Sequence, residues 1–272
     1  MRKVLYETRG RTAYLTLNRP EARNAIDKET HALLVEAWTA FRDDDSADVA
    51  IITGAGDAFC AGADLKTYIP QFLTEGSAVV GHIRQVVGLG LGGLTRGLHR
   101  MPKPVIGAVN GWALAGGLEI ALACDIRIAS ERAMFGSLEA QRGYHHGDGG
   151  IVRLINACGV AVASHMLLTA EPVDAEQALR WGIVTRVVPH EQLMDEAELI
   201  ARQILRNSQR AVRSAKATIL DLIGKDLEDQ LRTEAWNGYT CADPQEVIER
   251  LSRFYDKTDP GRYGAHSRPL DP

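Results

Sequence analysis

The stretch that most constrains the fold is KPVIGAVNGWALAGGLEIALACD, residues 103–125, where a short apolar strand turns through glycines into an almost wholly apolar helix carrying one carboxylate, Glu119. Val105 to Val109 reads as a buried strand and Asn110-Gly111 as a turn. Gly116-Gly117 marks the place where backbone comes close to another segment before the helix begins. Glu119, beside Leu118, Ile120 and Leu122, is the anomaly. Burial disfavours a bare charge there, which suits a general acid or base. The alternative is a core helix whose glutamate turns to solvent or pairs with an arginine. A helix start also leaves N–H groups without partners, so Gly116 can offer a donor to a developing negative charge.

With 272 residues, the chain has room for one large domain, or one with a smaller appendage, and for a substantial core. A net charge of −4 gives no basic field, which argues against nucleic acid or an anionic membrane as partner. Cys60, Cys124, Cys158 and Cys241 are scattered, without CxxC pairing, and read as free thiols of a reducing compartment. The N-terminus lacks an apolar segment with a cleavage site, and no run of about 18 apolar residues occurs. The expected location is the cytoplasm.

Along the chain, Val4 to Glu7 and Ala13 to Leu17 predict a hairpin, and Asp27 an N-cap for a helix reaching about Phe41. Val49 to Thr53 reads as a buried strand. The loop GAGDAFCAGADLK, residues 54–66, repeats the logic of the opening stretch: strand, glycine turn, backbone donors. Thr67 to Met101 has a helical-looking middle and a glycine run at Gly88 to Gly93. Strands follow at Ile126 to Ala129, near Phe135 and at Thr185 to Val188. From His190 the chain reads as helical, with breaks near Ser208 and Gly224. The predicted class is mixed α/β, organised as a core over 1–190, a helical region over 191–258 and an extended tail over 259–272.

Gly88 to Gly93 matches GxGxxG literally. It lacks the strong strand before it and the acidic residue about 20 positions later that dinucleotide binding requires. His145, His146 and Asp148 are three donors within four residues, but adjacent histidines point apart, so no metal is expected and a polar wall of a site is the better reading. Glu139, at a strand end 20 residues after Glu119, can converge with it on one substrate if the fold brings both ends together.

Together these segments resemble the crotonase superfamily, the enoyl-CoA hydratase/isomerase family. The likeness covers residues 1 to about 240. It rests on Leu17-Asn-Arg-Pro20 with Asn24-Ala25, on Phe59 through Lys66, on Lys103 through Gly111, on Gly116-Gly-Leu-Glu119 with Cys124-Asp125, and on Phe135-Gly136 with Glu139. The resemblance implies a repeated ββα superhelix whose C-terminal helices build homotrimers, often paired as hexamers. It also implies an acyl-CoA substrate, with CoA carried on that substrate and no separate cofactor.

By position, the N–H groups of Ala63 and Gly116 would form an oxyanion hole for the thioester carbonyl, a donor pair in which each member is typically worth about 3–4 kcal/mol. Asp64, Leu65 and Lys66 would border the CoA chain. Glu119 and Glu139 would hold a water and deliver its oxygen to C3 and a proton to C2 of a 2-enoyl-CoA.

The chain departs from the family pattern in three places. His146-Gly147-Asp148-Gly149-Gly150 replaces Pro-Gly-x-Gly-Gly, residues 67–101 are glycine-rich and long, and Gln245 to Tyr255 replaces the usual C-terminal pattern. Asp148 is not needed for simple hydration. It motivates a second expectation, an isomerase or C–C bond hydrolase in which Asp148, with His145 or His146, is the principal acid/base group on an acyl-CoA or a cyclic diketone. A non-catalytic acyl-CoA-binding member is a third.

Overall fold

The computed structural model describes residues 2–72 and 88–256. Contacts divide the chain into two units, Met1–Ala201 and Arg202–Pro272. The first holds both sheets.

Its larger sheet has six strands in the order β1 (Val4–Arg9), β2 (Thr12–Leu17), β3 (Val49–Gly54), β5 (Val105–Val109), β7 (Ile126–Ser130) and β10 (Arg186–Val188). β1 and β2 form the expected antiparallel hairpin, and every later neighbour pairs in parallel. Parallel pairing requires a crossover between strands. Helix α1 (Lys28–Asp43) supplies the crossover from β2 to β3, starting where Asp27 accepts a hydrogen bond from the Thr30 N–H at 2.8 Å. Its buried face, Leu34, Ala37, Trp38 and Phe41, is the stripe the sequence spacing predicts.

A smaller sheet runs β4 (Ala58–Cys60), β6 (Trp112–Leu114), β8 (Met134–Gly136) and β9 (Val173–Asp174). Each of β3, β5 and β7 is followed within a few residues by a short strand of this second sheet. Helices α2 (Gly116–Ala123) and α3 (Gly150–Thr169) complete two such ββα repeats. This is the mixed α/β, ββα architecture expected. Because β4, β6 and β8 are mutually parallel, their C-terminal ends emerge at one edge. The segments Ala61–Ala63, Ala115–Gly116 and Ser137–Glu139 therefore meet there.

The glycine approach predicted at Gly116-Gly117 is present. A methyl on Gly117 would lie 1.9 Å from the Cys60 carbonyl oxygen, so only glycine lets α2 pack onto the end of β4. α3 is long and apolar enough, by length and composition, to cross a membrane, but Gly159 at φ 77° and ψ 167° interrupts its helical backbone. The unit is completed by α4 (Ala175–Arg180) and most of α5 (Leu193–Leu205).

The second unit contains α6 (Gln209–Leu222), α7 (Leu227–Thr240) and α8 (Pro244–Tyr255). The expected breaks fall where Ser208 caps α6 and where Gly224, at φ 83°, separates α6 from α7. A further break, at Asp243-Pro244, caps α8. The expected extended tail and most of the helical middle of 67–101 lie outside the described residues.

Candidate active site

At the shared edge a cavity of about 550 Å³ opens, lined by Ala63, Gly116, Glu119, Glu139, His146 and Asp148 among others. The strand ends fix its roof. Ala115, at φ 51° and ψ −123°, is a strained non-glycine backbone held by its N–H bond to the Gly136 carbonyl at 2.8 Å. It sets the start of α2. Among the described residues neither the Ala63 nor the Gly116 N–H donates a backbone hydrogen bond. A methyl on Gly116 would lie 3.4 Å from the Ala63 nitrogen, so the two donors sit side by side.

Buried beside them lies Cys60. Its thiol donates to the Asn24 carbonyl and its sulfur accepts the Gly62 N–H, both at 3.3 Å. Burial pushes this thiol up to about 12.

Glu119 is 3% exposed and turned away from solvent; its close ion-pair contact among the described residues is His146, while Arg153 acts on it at longer range. Its Oε1 accepts the N–H groups of Asp148 at 2.8 Å and Gly150 at 2.9 Å. The glycine turn thus donates its backbone to the carboxylate, as a helix N-terminus does to an anion. Glu139 is 4% exposed and accepts the Ser137 hydroxyl at 3.3 Å.

His146 lies between the two glutamates. Its Nδ1 is 2.8 Å from Glu139 Oε1 and 3.2 Å from Glu119 Oε1. Both are close ion-pair contacts, yet neither ring nitrogen makes a well-directed hydrogen bond. Burial alone pushes the imidazole down, but the two carboxylates outweigh it and hold His146 up at about 9. Donor atoms of these three residues lie within 4.8 Å of one another, a spacing able to surround a cation. A metal there must first displace the proton that the carboxylates favour.

Asp148 is placed differently from the glutamates. Its Oδ1 accepts Arg96 Nη2 at 2.6 Å, while Arg96 also donates to the Gly147 carbonyl at 2.7 Å. Burial, helped by Glu119, pushes the Asp148 carboxyl up, against Arg96 and a hydrogen bond from Leu91. Arg153 ties the Asp148 carbonyl, at 2.9 Å, to the Thr95 carbonyl, at 2.6 Å. The turn is thereby pinned to the 88–96 loop, and sequence reading missed both arginines.

His145 lines the cavity, with Nδ1 2.7 Å from the His146 carbonyl. Leu65 lines it as well. Asp64 instead turns inward, where it accepts the N–H groups of Lys66 and Thr67 and pairs with Arg19 at 2.6 Å, and neither Asp64 nor Lys66 is part of the cavity wall.

This geometry, two backbone donors facing two buried carboxylates at the ends of parallel strands, can polarise a carbonyl and move protons beside it. A family model for enoyl-CoA hydratase/isomerase matches residues 7–263. The chain is 38% identical over 255 residues to a crotonyl-CoA hydratase of Syntrophomonas wolfei, covering 93% of this chain and 95% of that protein. It is 40% identical over 232 residues to an (E)-benzylidenesuccinyl-CoA hydratase of Thauera aromatica, covering 82% and 84%. Among solved structures, an enoyl-CoA hydratase from Bacillus anthracis superposes with a TM-score of 0.84 at 32% identity, covering 94% of this chain and 96% of that one. The chain belongs to the enoyl-CoA hydratase/isomerase family of the crotonase superfamily.

Proposed function

We propose that this protein is an acyl-CoA hydratase that adds water across a 2-enoyl-CoA to give a 3-hydroxyacyl-CoA. The observation that carries the reading is the pair of buried carboxylates, Glu119 and Glu139, opposite the unspent N–H groups of Ala63 and Gly116. The thioester carbonyl binds between the two donors, which stabilise the enolate oxygen as charge develops on it. Glu119, oriented by two backbone N–H groups, takes a proton from the attacking water as its oxygen bonds to C3. Glu139 gives a proton to C2. CoA arrives with the substrate, and no separate cofactor takes part.

Glu119→Gln and Glu139→Gln should each lower kcat for hydration by about 10²–10⁴ while leaving CoA-ester binding within a few-fold. Full activity in both variants would remove the basis of the reading.

The Asp148 alternative draws support from that residue's place on the cavity wall and its raised carboxyl. Against it, Arg96 donates to Asp148 Oδ1 at 2.6 Å and favours the charged carboxylate. Mass spectrometry separates the outcomes, since hydration adds one water to the substrate, isomerisation keeps its mass and C–C hydrolysis opens a ring.

The proposal extends to a cytoplasmic homotrimer, or dimer of trimers, built through the helical region 191–258. Its support is the exposed apolar side chains of α6–α8, including Ile219, Leu231, Trp236, Tyr239, Ile248 and Phe254. Light scattering on the purified chain tests the assembly.

A further inference from the structure

The hydration steps above leave His146, a buried ionisable group touching both glutamates, without a task. His146 has a side chain only 1% exposed, and its ring rests against Gly150, where a methyl would come within 2.5 Å of Cγ. Nothing else could share that space, so the ring is built into the site. One of its nitrogens reaches both glutamates, at 2.8 and 3.2 Å, and neither nitrogen is committed to a directed hydrogen bond among the described residues. A buried polar ring is costly unless its nitrogens find partners, and the partners within reach of Nδ1 are the two carboxylates. Here the groups that change protonation are the two carboxylates it touches.

We infer that His146 is the positioning residue that stores and returns the catalytic proton, acting on substrate only through Glu139 and Glu119. The inference rests on the hydratase reading.

In the resting site the proton sits on the imidazolium. As the enoyl group docks, Nδ1 passes it to Glu139, and Glu139 delivers it to C2 as the C2=C3 electron pair moves onto C2. Water's oxygen bonds to C3 and its proton goes to Glu119. Glu119 then returns that proton to Nδ1. The site ends in the state in which it began, with one water added to the substrate and no proton drawn from solvent.

The asymmetry of the two glutamates assigns their roles in the cycle. Glu119 is fixed by two backbone donors, whereas among the described residues Glu139 has the Ser137 hydroxyl and the closer approach to Nδ1.

The remaining charges around the ring leave this assignment intact. From its own turn come His145, Tyr144, whose phenol burial and Glu139 push up, and Asp148, which is neutralised by Arg96. From α3 comes Arg153, held on two carbonyls. The balance of burial and the two carboxylates supports an imidazolium that persists to about pH 9. Two bare carboxylates sharing a single proton have no such reservoir, and they separate at lower pH.

The test is the pH profile of kcat/KM for hydration of a short 2-enoyl-CoA by the wild type and by His146→Gln, together with a nitrogen-15 NMR titration of His146 in the wild type. The expected results are a basic limb near pH 9 that falls by more than one unit in His146→Gln, a kcat reduced about 10- to 100-fold with KM changed less than threefold, and a ring that titrates with the limb. A rate loss with the limb unmoved would reduce His146 to packing and overturn the inference. So would a ring that titrates near its ordinary 6.5 in the wild type, a measurement that holds even if the variant does not fold. Activity lost on chelation and restored by a divalent metal would overturn it too, by making the ring a ligand. If the wild type hydrates no 2-enoyl-CoA, the hydratase reading falls and takes this inference with it. If it hydrates with the limb unmoved by the substitution, only the inference falls.

Discussion

The loop Cys60–Ala63 and the start of α2 at Ala115–Gly117 are held by backbone packing, whereas the turn from Glu139 to Gly150 is held by charge. In the first region, Gly117 lies against the Cys60 carbonyl, and the strained Ala115 backbone is fixed by Gly136. No titratable side chain takes part in those contacts. In the second region, Glu139, His146, Asp148, Arg96 and Arg153 hold the turn through ion pairs and charge-assisted hydrogen bonds. One half of the site is set once, at folding. The other stays responsive to pH and to single charges, which is where the proposed reaction moves a proton.

The sharpest way to break the contrast is Gly117→Ala. Its methyl meets main chain rather than a side chain that could move aside, so the variant should lose about 3 kcal/mol or more in a denaturant melt, nearly equally at pH 6 and pH 9. A substitution without cost would show that α2 does not depend on that approach.

The charged turn predicts the opposite behaviour. His146 is raised from an ordinary 6.5 to about 9, so its contribution is fully present below about pH 6.5 and is lost as pH rises through 9. The wild type should lose stability on the order of 3 kcal/mol across that window, and His146→Gln should flatten the dependence. A flat wild-type melt over those pH values would end the distinction between the two regions. The smallest effect belongs to Arg96→Gln, which should cost about 2 kcal/mol by removing the charged partner of the buried Asp148 carboxyl. The double variant with Asp148→Asn should cost less than the two single changes summed, as a double-mutant cycle measures.

The packed region was the legible one. An apolar helix with a single carboxylate and two leading glycines has few solutions, and both the close approach and the burial of Glu119 are found as the sequence reads. The hairpin, α1 and the helix breaks near Ser208 and Gly224 follow local rules of alternation and capping, and they lie where those rules put them. Strands β4, β6 and β9 have two or three residues each, too few to show a period, so only the sheet reveals them. Arg96 escaped because its partner Asp148 lies 52 residues away and its own segment has no periodic pattern. His146 was readable as a cavity wall. Its position between two glutamates, one of them on a different element, depends on how the second sheet closes.

Cys60, finally, bears on the chemical safety of the site. Thioesters exchange readily with thiolates, and a reactive cysteine three residues from Ala63 would compete for the acyl group that the proposed reaction needs intact. With its hydrogen on the Asn24 carbonyl and its thiol held up at about 12, Cys60 remains protonated through the working pH range. The residue that packs against the proposed oxyanion loop is thereby kept from being acylated by the proposed thioester substrate.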